Sequence, residues 1–407
     1  MRVKLIHNGK GQLQVALLLI FVVFMYFFAP YSVNTSIIVN CVCGVLIIVA
    51  SFTFGHITKD SFQHFILTEV YVIIVTVVAG LIIPYEKELD LGVMLIFTAT
   101  CVFCMGKYRL KASLNIYRCV AIFDLIIILW GVAYIFNISA ITDWSYNTYA
   151  AVGDSFFNRS ILLGKPVLSF RFHGQAAYAY INIFFLHYFL MDKKKKKGLS
   201  NRILQVTMFI LPVFAVCLQA NAGYIVAGVM LVFLTIMYYK KWGYRVLLFW
   251  VPCLVLIVYF GYTSGLLSEA LTHLFTGEKN GFLGRYSGLY EGNFEIMANY
   301  FASGMYTISG KTIKADSGLV VTLTRGNIPL VILYYSLIWR FLKKNFYRKN
   351  AIIIAGIFLA YEFAYTFLIG RYNGLYWLII YKICLDSIEV MSNNIMGGKN
   401  SASPTCF

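Results

Sequence analysis

An all-α, polytopic integral membrane protein is the fold class this sequence predicts, on three observations. Apolar runs of roughly 17–25 residues recur along the chain, each long enough to cross about 30 Å of hydrocarbon. Of the 407 residues, 60% are hydrophobic and only 13% charged, too few charges for the surface of an ordinary globular domain. The basic residues also concentrate in alternate connections between the apolar runs. A formal net charge of +17 would suggest nucleic acid in a soluble protein. Here basic loops on the cytoplasmic side account for it, and no nucleic-acid partner is implied.

About twelve transmembrane helices are expected, at 13–28, 35–54, 65–84, 91–106, 116–136, 176–191, 203–219, 224–239, 246–262, 319–339, 351–370 and 375–390. The first resembles a signal peptide, with Arg2, Lys4 and Lys10 ahead of an apolar stretch. No small-residue cleavage pattern surrounds Ala29-Pro30, so it is read as an uncleaved span. The seventh and eighth run together, and Gln219-Ala220-Asn221-Ala222-Gly223 supplies small and polar residues for a tight reversal between them.

With both termini cytoplasmic, the inner segments carry Lys59, Lys107, Arg109, Lys111, Lys193 to Lys197, Arg202, Lys240, Lys241, Arg245 and the cluster from Arg340 to Lys349, besides the terminal lysines and arginine. The outer segments carry Lys87, Arg159, Lys165, Arg171, Lys279, Arg285, Lys311, Lys314 and Arg371, fewer than half as many. Merging the seventh and eighth spans would move Lys240 and Lys241 outside, against the positive-inside rule. The expectation is a single transmembrane domain, 1–407, in a bacterial cytoplasmic (inner) membrane, with two large periplasmic loops at 137–174 and 263–318. The lysine run 193–197 reads as a stop against the cytoplasmic leaflet. The nine cysteines fall in apolar segments or the tail, and Cys101-x-x-Cys104 has no nearby histidine or basic redox context. They read as packing residues, with no disulfide implied.

The chemistry-bearing residues gather in the two long loops. The first ends in Ser169-Phe170-Arg171-Phe172-His173-Gly174; the second contains Gly284-Arg285-Tyr286-Ser287, Gly304 and Asp316-Ser317-Gly318, and the following span continues to Arg325-Gly326-Asn327-Ile328-Pro329. Arginine at the membrane face suits a lipid-linked phosphate, because its planar fork binds phosphate oxygens in pairs and keeps its charge. Arg171, Arg285 and Arg325 are therefore candidate diphosphate ligands. For Arg171 and Arg285 the alternative is interface anchoring or loop ion pairs. For Arg325 it is a structural pair, with Asp316 as partner. The neighbouring aromatics, among them Phe170, Phe172, Tyr286 and Tyr290, suit either sugar faces or interface anchoring.

A transferase that activates a sugar hydroxyl needs a base. The loop acids and histidines are Asp143, Asp154, His173, Glu269, His273, Glu278, Glu291, Glu295 and Asp316. Asp316 is preferred, since it abuts a span and a glycine; Glu291 and His173 follow. Glu291 and Glu295 are four apart and would share a helix face, which a solvated surface explains equally well. His173 also reads as a neutral structural imidazole. The chain lacks a D-x-D pair, a P-loop, H-E-x-x-H and G-x-S-x-G, and implies neither metal nor cofactor. The intramembrane charges Glu69, Arg118, Asp124, Glu362, Lys382 and Asp386 are thin for a proton relay, and Glu–Lys pairing between spans explains some of them.

With this layout the chain resembles the Wzy-type O-antigen and capsule repeat-unit polymerases, within the wider family that includes O-antigen ligases. The likeness covers the whole topology, with large external loops before the sixth and tenth spans. Locally it rests on Ser169 to Gly174, on Arg285 followed by Gly304, and on Ala315-Asp316-Ser317-Gly318-Leu319 leading to Gly326-Asn327-Ile328-Pro329-Leu330. It departs from the family's Arg-x10-Gly pattern: the positions eleven after Arg159, Arg171 and Arg285 hold Phe170, Asn182 and Ile296. The resemblance implies transfer of a glycan from undecaprenyl diphosphate to the terminal sugar of a new lipid-linked repeat unit. Arg171 and Arg285 would hold the diphosphate, Asp316 (or Glu291 or His173) would take the hydroxyl proton, and the anomeric centre would invert. Undecaprenyl-diphosphate-linked oligosaccharides and membrane lipid are the implied partners, and a chain-length regulator is left open. The alternatives are an O-antigen ligase acting on lipid A-core, which usually presents a histidine where this chain has Asp316, and a lipid-linked oligosaccharide flippase, which needs short loops and a charged central cavity.

Overall fold

The computed structural model describes residues 28–29, 33–108, 116–192, 198–263, 265, 291–311, 317–364, 369 and 373–397. Most of the first expected span, the lysine run 193–197 and much of the second long loop, including Arg285 and Asp316, lie outside them. The described residues are mostly helical, and five helical stretches are long and apolar enough to cross a membrane: Lys59–Ile82, Ile116–Ile135, Leu199–Cys217, Asn221–Thr263 and Gly318–Asn345. Two shorter apolar helical stretches, Cys41–Phe54 and Leu91–Met105, accompany them. Each apolar run expected from residue 35 onward coincides in the main with one helical segment.

The residues cluster into two compact units. The first contains most of helix α1 (Val33–Phe54), helices α2 (Lys59–Ile82) and α3 (Leu91–Met105), and the short strands β1 (His56–Ile57), β2 (Lys87–Leu89) and β3 (Gly106–Lys107). The second contains α4 (Ile116–Ile135), the cap helices α5 (Ser139–Ser145) and α6 (Ser155–Leu162), then α7 (His173–Asp192), α8 (Leu199–Cys217), α9 (Asn221–Trp242) and α10 (Trp250–Thr263). The chain returns to the first unit with α11 (Glu291–Tyr300), β4 (Tyr306–Ile308), α12 (Gly318–Asn345), α13 (Arg348–Ala364) and most of α14 (Asn373–Gly397).

In the first unit α12 packs on α2, α3 and α13, and residues 374–387 of α14 are buried on nearly every side. Two antiparallel ribbons join its connections: β1 pairs with β3, His56 opposite Lys107, and β2 pairs with β4, Lys87 opposite Ile308. Helices α2 and α12 run antiparallel. Lys344 Nζ donates to Thr58 Oγ1 (3.2 Å) and to Ser61 Oγ, His64 Nε2 meets Leu333 O (3.0 Å) and Ser336 Oγ (2.8 Å), and Tyr71 OH donates to Gly326 O (2.6 Å). Beyond Tyr71 the loop ahead of β4 takes over the face of α2. Met305 N–H donates to Thr76 Oγ1 (3.1 Å), and Gly304, at φ +58°, lies so close that a Cβ would stand 2.5 Å from Thr76 Cα.

In the second unit α8 packs against α4, α7 and α9. The expected reversal between the seventh and eighth runs is present: α8 ends at Cys217, Gln219 takes φ +50°, and α9 starts at Asn221. A second reversal follows α9 at Gly243 (φ +55°), where Phe209, Tyr238, Trp242 and Phe249 stack and Trp250 Nε1 donates to Thr235 Oγ1 (3.0 Å). The first long loop is itself folded. Helices α5 and α6 and a π-helical turn at Tyr146–Ala150 close over a cluster of Tyr149, Phe157 and Val167.

Gly304→Ala is expected to lower the melting temperature of the detergent-purified protein. Backbone strain alone costs about 1–3 kcal/mol at such a position, and the clash with α2 adds to it.

Candidate functional site

The polar chemistry of the first unit collects where α12 is interrupted. Gly326 (φ −155°, ψ 17°) and Asn327 (φ 57°, ψ −164°) leave the helix, and Pro329 follows without an N–H to donate. The groups freed there find partners one by one. Thr324 O accepts from Ser303 N–H (2.7 Å), Gly326 O from Tyr71 OH, and Asn327 Oδ1 from Ile328 N–H (2.8 Å). Asn327 Nδ2 donates to Phe301 O (2.8 Å), and Asn293 Nδ2 to Thr324 Oγ1 (3.1 Å). The segment from α11 to β4 is thus bonded to the break.

Arg325 sits at this point, 6% exposed. Its Nη2 lies 3.3 Å from Asp90 Oδ2 and its Nη1 donates to Gly304 O (3.4 Å). Asp90 serves several elements at once. Its Oδ1 caps α3 by accepting from Val93 N–H, its Oδ2 also receives Thr307 Oγ1 (3.4 Å), and its N–H donates to Met305 O (2.9 Å). The sequence offered Asp316 as the partner of Arg325; the partner in the described structure is Asp90. Its position immediately before an apolar helix is an N-cap signal that reading the loops alone passes over.

Glu291 and Glu295 do lie on one helix, α11, but their surroundings differ. Glu291 is exposed, whereas Glu295 grips Lys311 Nζ through both oxygens (2.7 and 2.9 Å). The bond to Glu295 raises the Lys311 pKa, and the ammonium also stands 5.4 Å from the Tyr85 ring centre. Arg285 and Asp316 lie outside the described residues; Ser317 and Gly318, which directly follow Asp316, are within them and open α12.

In the second unit the first loop is braced by a fully buried ion pair. Arg171 Nη1 lies 2.8 Å from Asp154 Oδ2 and donates to Ala29 O (2.7 Å), and its guanidinium faces the Phe156 ring. Asp154 uses Oδ1 to accept from Phe156 and Phe157 N–H, both at 3.0 Å, which caps α6. As found, this buried arginine holds the loop together. His173 opens α7, half-buried, with Nδ1 3.1 Å from Ser160 Oγ and its N–H donating to the same oxygen. Burial, then the nearby Lys165 and Arg159, lower its pKa to about 4, which leaves it neutral near pH 7.

The intramembrane acids have partners other than lysines on neighbouring spans. Asp124 holds His187 Nε2 (3.0 and 3.1 Å), Glu69 receives Thr98 Oγ1 (3.4 Å), Glu362 receives Tyr335 OH (2.7 Å), and Lys382 pairs with Asp386 within α14 (2.7 Å). Cys101 and Cys104 are free, buried thiols. Among the described residues no three His, Cys, Asp or Glu side chains converge as metal ligands. No family model matches this chain, and neither a curated protein nor a solved structure is significantly similar to it.

Two outcomes are expected. Arg325→Met should cost about 3 kcal/mol, because it strands Asp90, and Arg325→Met with Asp90→Leu should cost less than the single change; thermal melts of the three variants read this coupling. His173 has a folded pKa below its ordinary 6.5, so protonation favours the unfolded chain. Its contribution to stability should be complete above about pH 6.5 and fall away towards pH 4. Melting temperature against pH should lose that part of its slope in His173→Gln.

Proposed function

We propose that this protein is a polysaccharide repeat-unit polymerase of about twelve spans in a bacterial inner membrane. It transfers an undecaprenyl-diphosphate-linked glycan onto a new lipid-linked repeat unit at the periplasmic face. The observation that carries this reading is the attachment of the 291–311 segment to the break in α12. It gathers Arg325, Asp90 and the Glu295–Lys311 pair around a helix that continues directly from Asp316-Ser317-Gly318. A flippase has no evident use for a long connection folded into such a polar platform.

The ribbon pairings support the assignment of sides. The β1–β3 ribbon joins two connections assigned to the cytoplasm by their charge, and the β2–β4 ribbon joins two assigned to the periplasm. The second unit is consistent in the same way. Tyr117 OH donates to Leu190 O (3.2 Å) between two ends assigned inside, and Lys165 Nζ donates to Gln219 O (2.6 Å) between two connections assigned outside.

In this reading the acceptor sugar hydroxyl attacks the anomeric carbon of the donor from the face opposite the diphosphate. The new C–O bond forms as the bond to the diphosphate oxygen breaks, undecaprenyl diphosphate leaves with the electron pair, and the configuration inverts. Asp316 takes the hydroxyl proton, with Glu291, the exposed acid on α11, and His173 as the alternatives. Arg285 and Arg325 stabilise the charge on the leaving diphosphate, and no metal is required for that electrostatic role. Arg171, held by Asp154, braces the first loop.

Deleting the gene should abolish the long-chain glycan ladder on gels while leaving one repeat unit attached to core. Complementation with Asp316→Ala or Arg285→Ala should give the same single-repeat band. Loss of all attached sugar on deletion would point to a ligase or a flippase, and a normal ladder in either variant would overturn the assignment of those residues.

A further inference from the structure

We infer that Tyr85, Tyr300, Glu295 and Lys311 form a binding subsite for an uncharged pyranose ring, on the face of the first unit assigned to the periplasm. The four residues come from two distant stretches, the turn between α2 and β2 and the segment from α11 to just past β4. A buried cluster of Ala79, Ile83, Ile296 and Ile308 joins those stretches, and the half-buried rings of Tyr85, Tyr300 and Tyr306 pack against it. Tyr85 and Tyr300 meet at 86°, with ring centres 6.0 Å apart. Beside them Lys311 Nζ stands 5.4 Å from the Tyr85 ring centre and is held by both oxygens of Glu295, at 2.7 and 2.9 Å. The backbone fixes this arrangement. Gly292, on the same helix as Glu295, lies so close that a Cβ there would stand 2.0 Å from Lys311 O, and the turn into Lys311 places Gly310 at φ +68°.

Each part of this surface suits a sugar. A pyranose presents a face of C–H groups, which packs on an aromatic ring, and a rim of hydroxyls, each of which both donates and accepts. Glu295 and Lys311 supply the complementary edge. Their two mutual bonds leave the ammonium a hydrogen to donate and the carboxylate lone pairs with which to accept. Glu295 is 34% and Lys311 32% exposed, so a ligand reaches them without displacing the pair. An anion is served poorly. The pair cancels its own charge, the Lys87 ammonium is bonded to Gly80 O and Ile83 O, and Glu86 and Glu88 are exposed beside it. Tyrosines that only anchor a protein among lipid headgroups need no ion pair at their edge. That the sugar belongs to the lipid-linked glycan rests on the polymerase reading; the subsite itself does not.

The test is saturation-transfer NMR on the full-length protein in lipid nanodiscs free of glycoside detergent. One probe is the repeat-unit oligosaccharide released by mild acid from the surface glycan of the cells that make the protein. Maltotriose and chitotriose serve as unrelated uncharged sugars. Wild-type protein should transfer saturation to ring protons of the repeat-unit oligosaccharide, and inorganic diphosphate should not compete. Tyr85→Leu with Tyr300→Leu keeps apolar packing but removes the rings, and should weaken binding about tenfold. Tyr85→Phe with Tyr300→Phe keeps the rings and should bind like wild type. Glu295→Gln with Lys311→Gln, at half-exposed positions, should weaken binding about tenfold with an unchanged melting temperature. Unchanged affinity in the leucine and glutamine variants overturns the subsite, as does displacement of the sugar by diphosphate or a failure to bind any of the oligosaccharides. Binding of the unrelated sugars without the repeat unit keeps the subsite and removes it from the polymerase reading. A glycan ladder that survives deletion of the gene overturns that reading, while the NMR still decides the subsite.

Discussion

The first unit depends on one constraint: a helix broken within apolar surroundings must have its backbone groups bonded from within the protein. In such surroundings each unsatisfied group costs several kcal/mol. The break at Gly326 and Asn327 exposes such groups, and the partners come from Tyr71 on α2 and from the Phe301–Ser303 segment. The Arg325–Asp90 pair then ties the same place to the caps of α3 and to β4. A long polar connection is thereby converted from a flexible excursion into a built surface. Its docking in turn requires glycine at 304, where the backbone meets α2.

The second unit solves a related problem differently. Its first long connection folds back on itself, and the buried Arg171–Asp154 pair joins the end of that connection to its middle. Because both charges are desolvated, their value lies in fixing one arrangement more than in raw stability. Helix α7, which follows, carries His173, Gln175, Asn182 and His187, and it is too polar to rank among the long apolar helices. Its residues are nevertheless almost wholly buried, with Asp124 holding His187. A helix enclosed by α4, α8 and α9 can carry such groups because its partners, and not lipid, meet them.

Chemically, the units divide between bracing and presentation. Acids inside the apolar helices are matched to hydroxyl, imidazole or ammonium donors, and each of these pairs joins turns or helices. Glu291 is exposed at a connection and the Glu295–Lys311 pair is half-buried there, whereas Arg325 in its clamp with Asp90 is buried.

The sequence by itself determined the helical class, the positions of the apolar helices from residue 35 onward, and the reversal at Gln219–Gly223. These follow from the length of apolar runs and from local backbone preferences, which neighbouring residues settle. Asp316-Ser317-Gly318 and Arg325 also stood out, as polar residues at the edge of an apolar run. What the sequence could not supply was partnership. That Arg325 meets Asp90, 235 residues away, and that Arg171 meets Asp154 are consequences of which helices pack together. Only the tertiary structure decided which charged groups serve the fold and which stay at the surface. A side chain's composition and spacing are fixed locally, whereas its desolvation and its partner are set by distant chain.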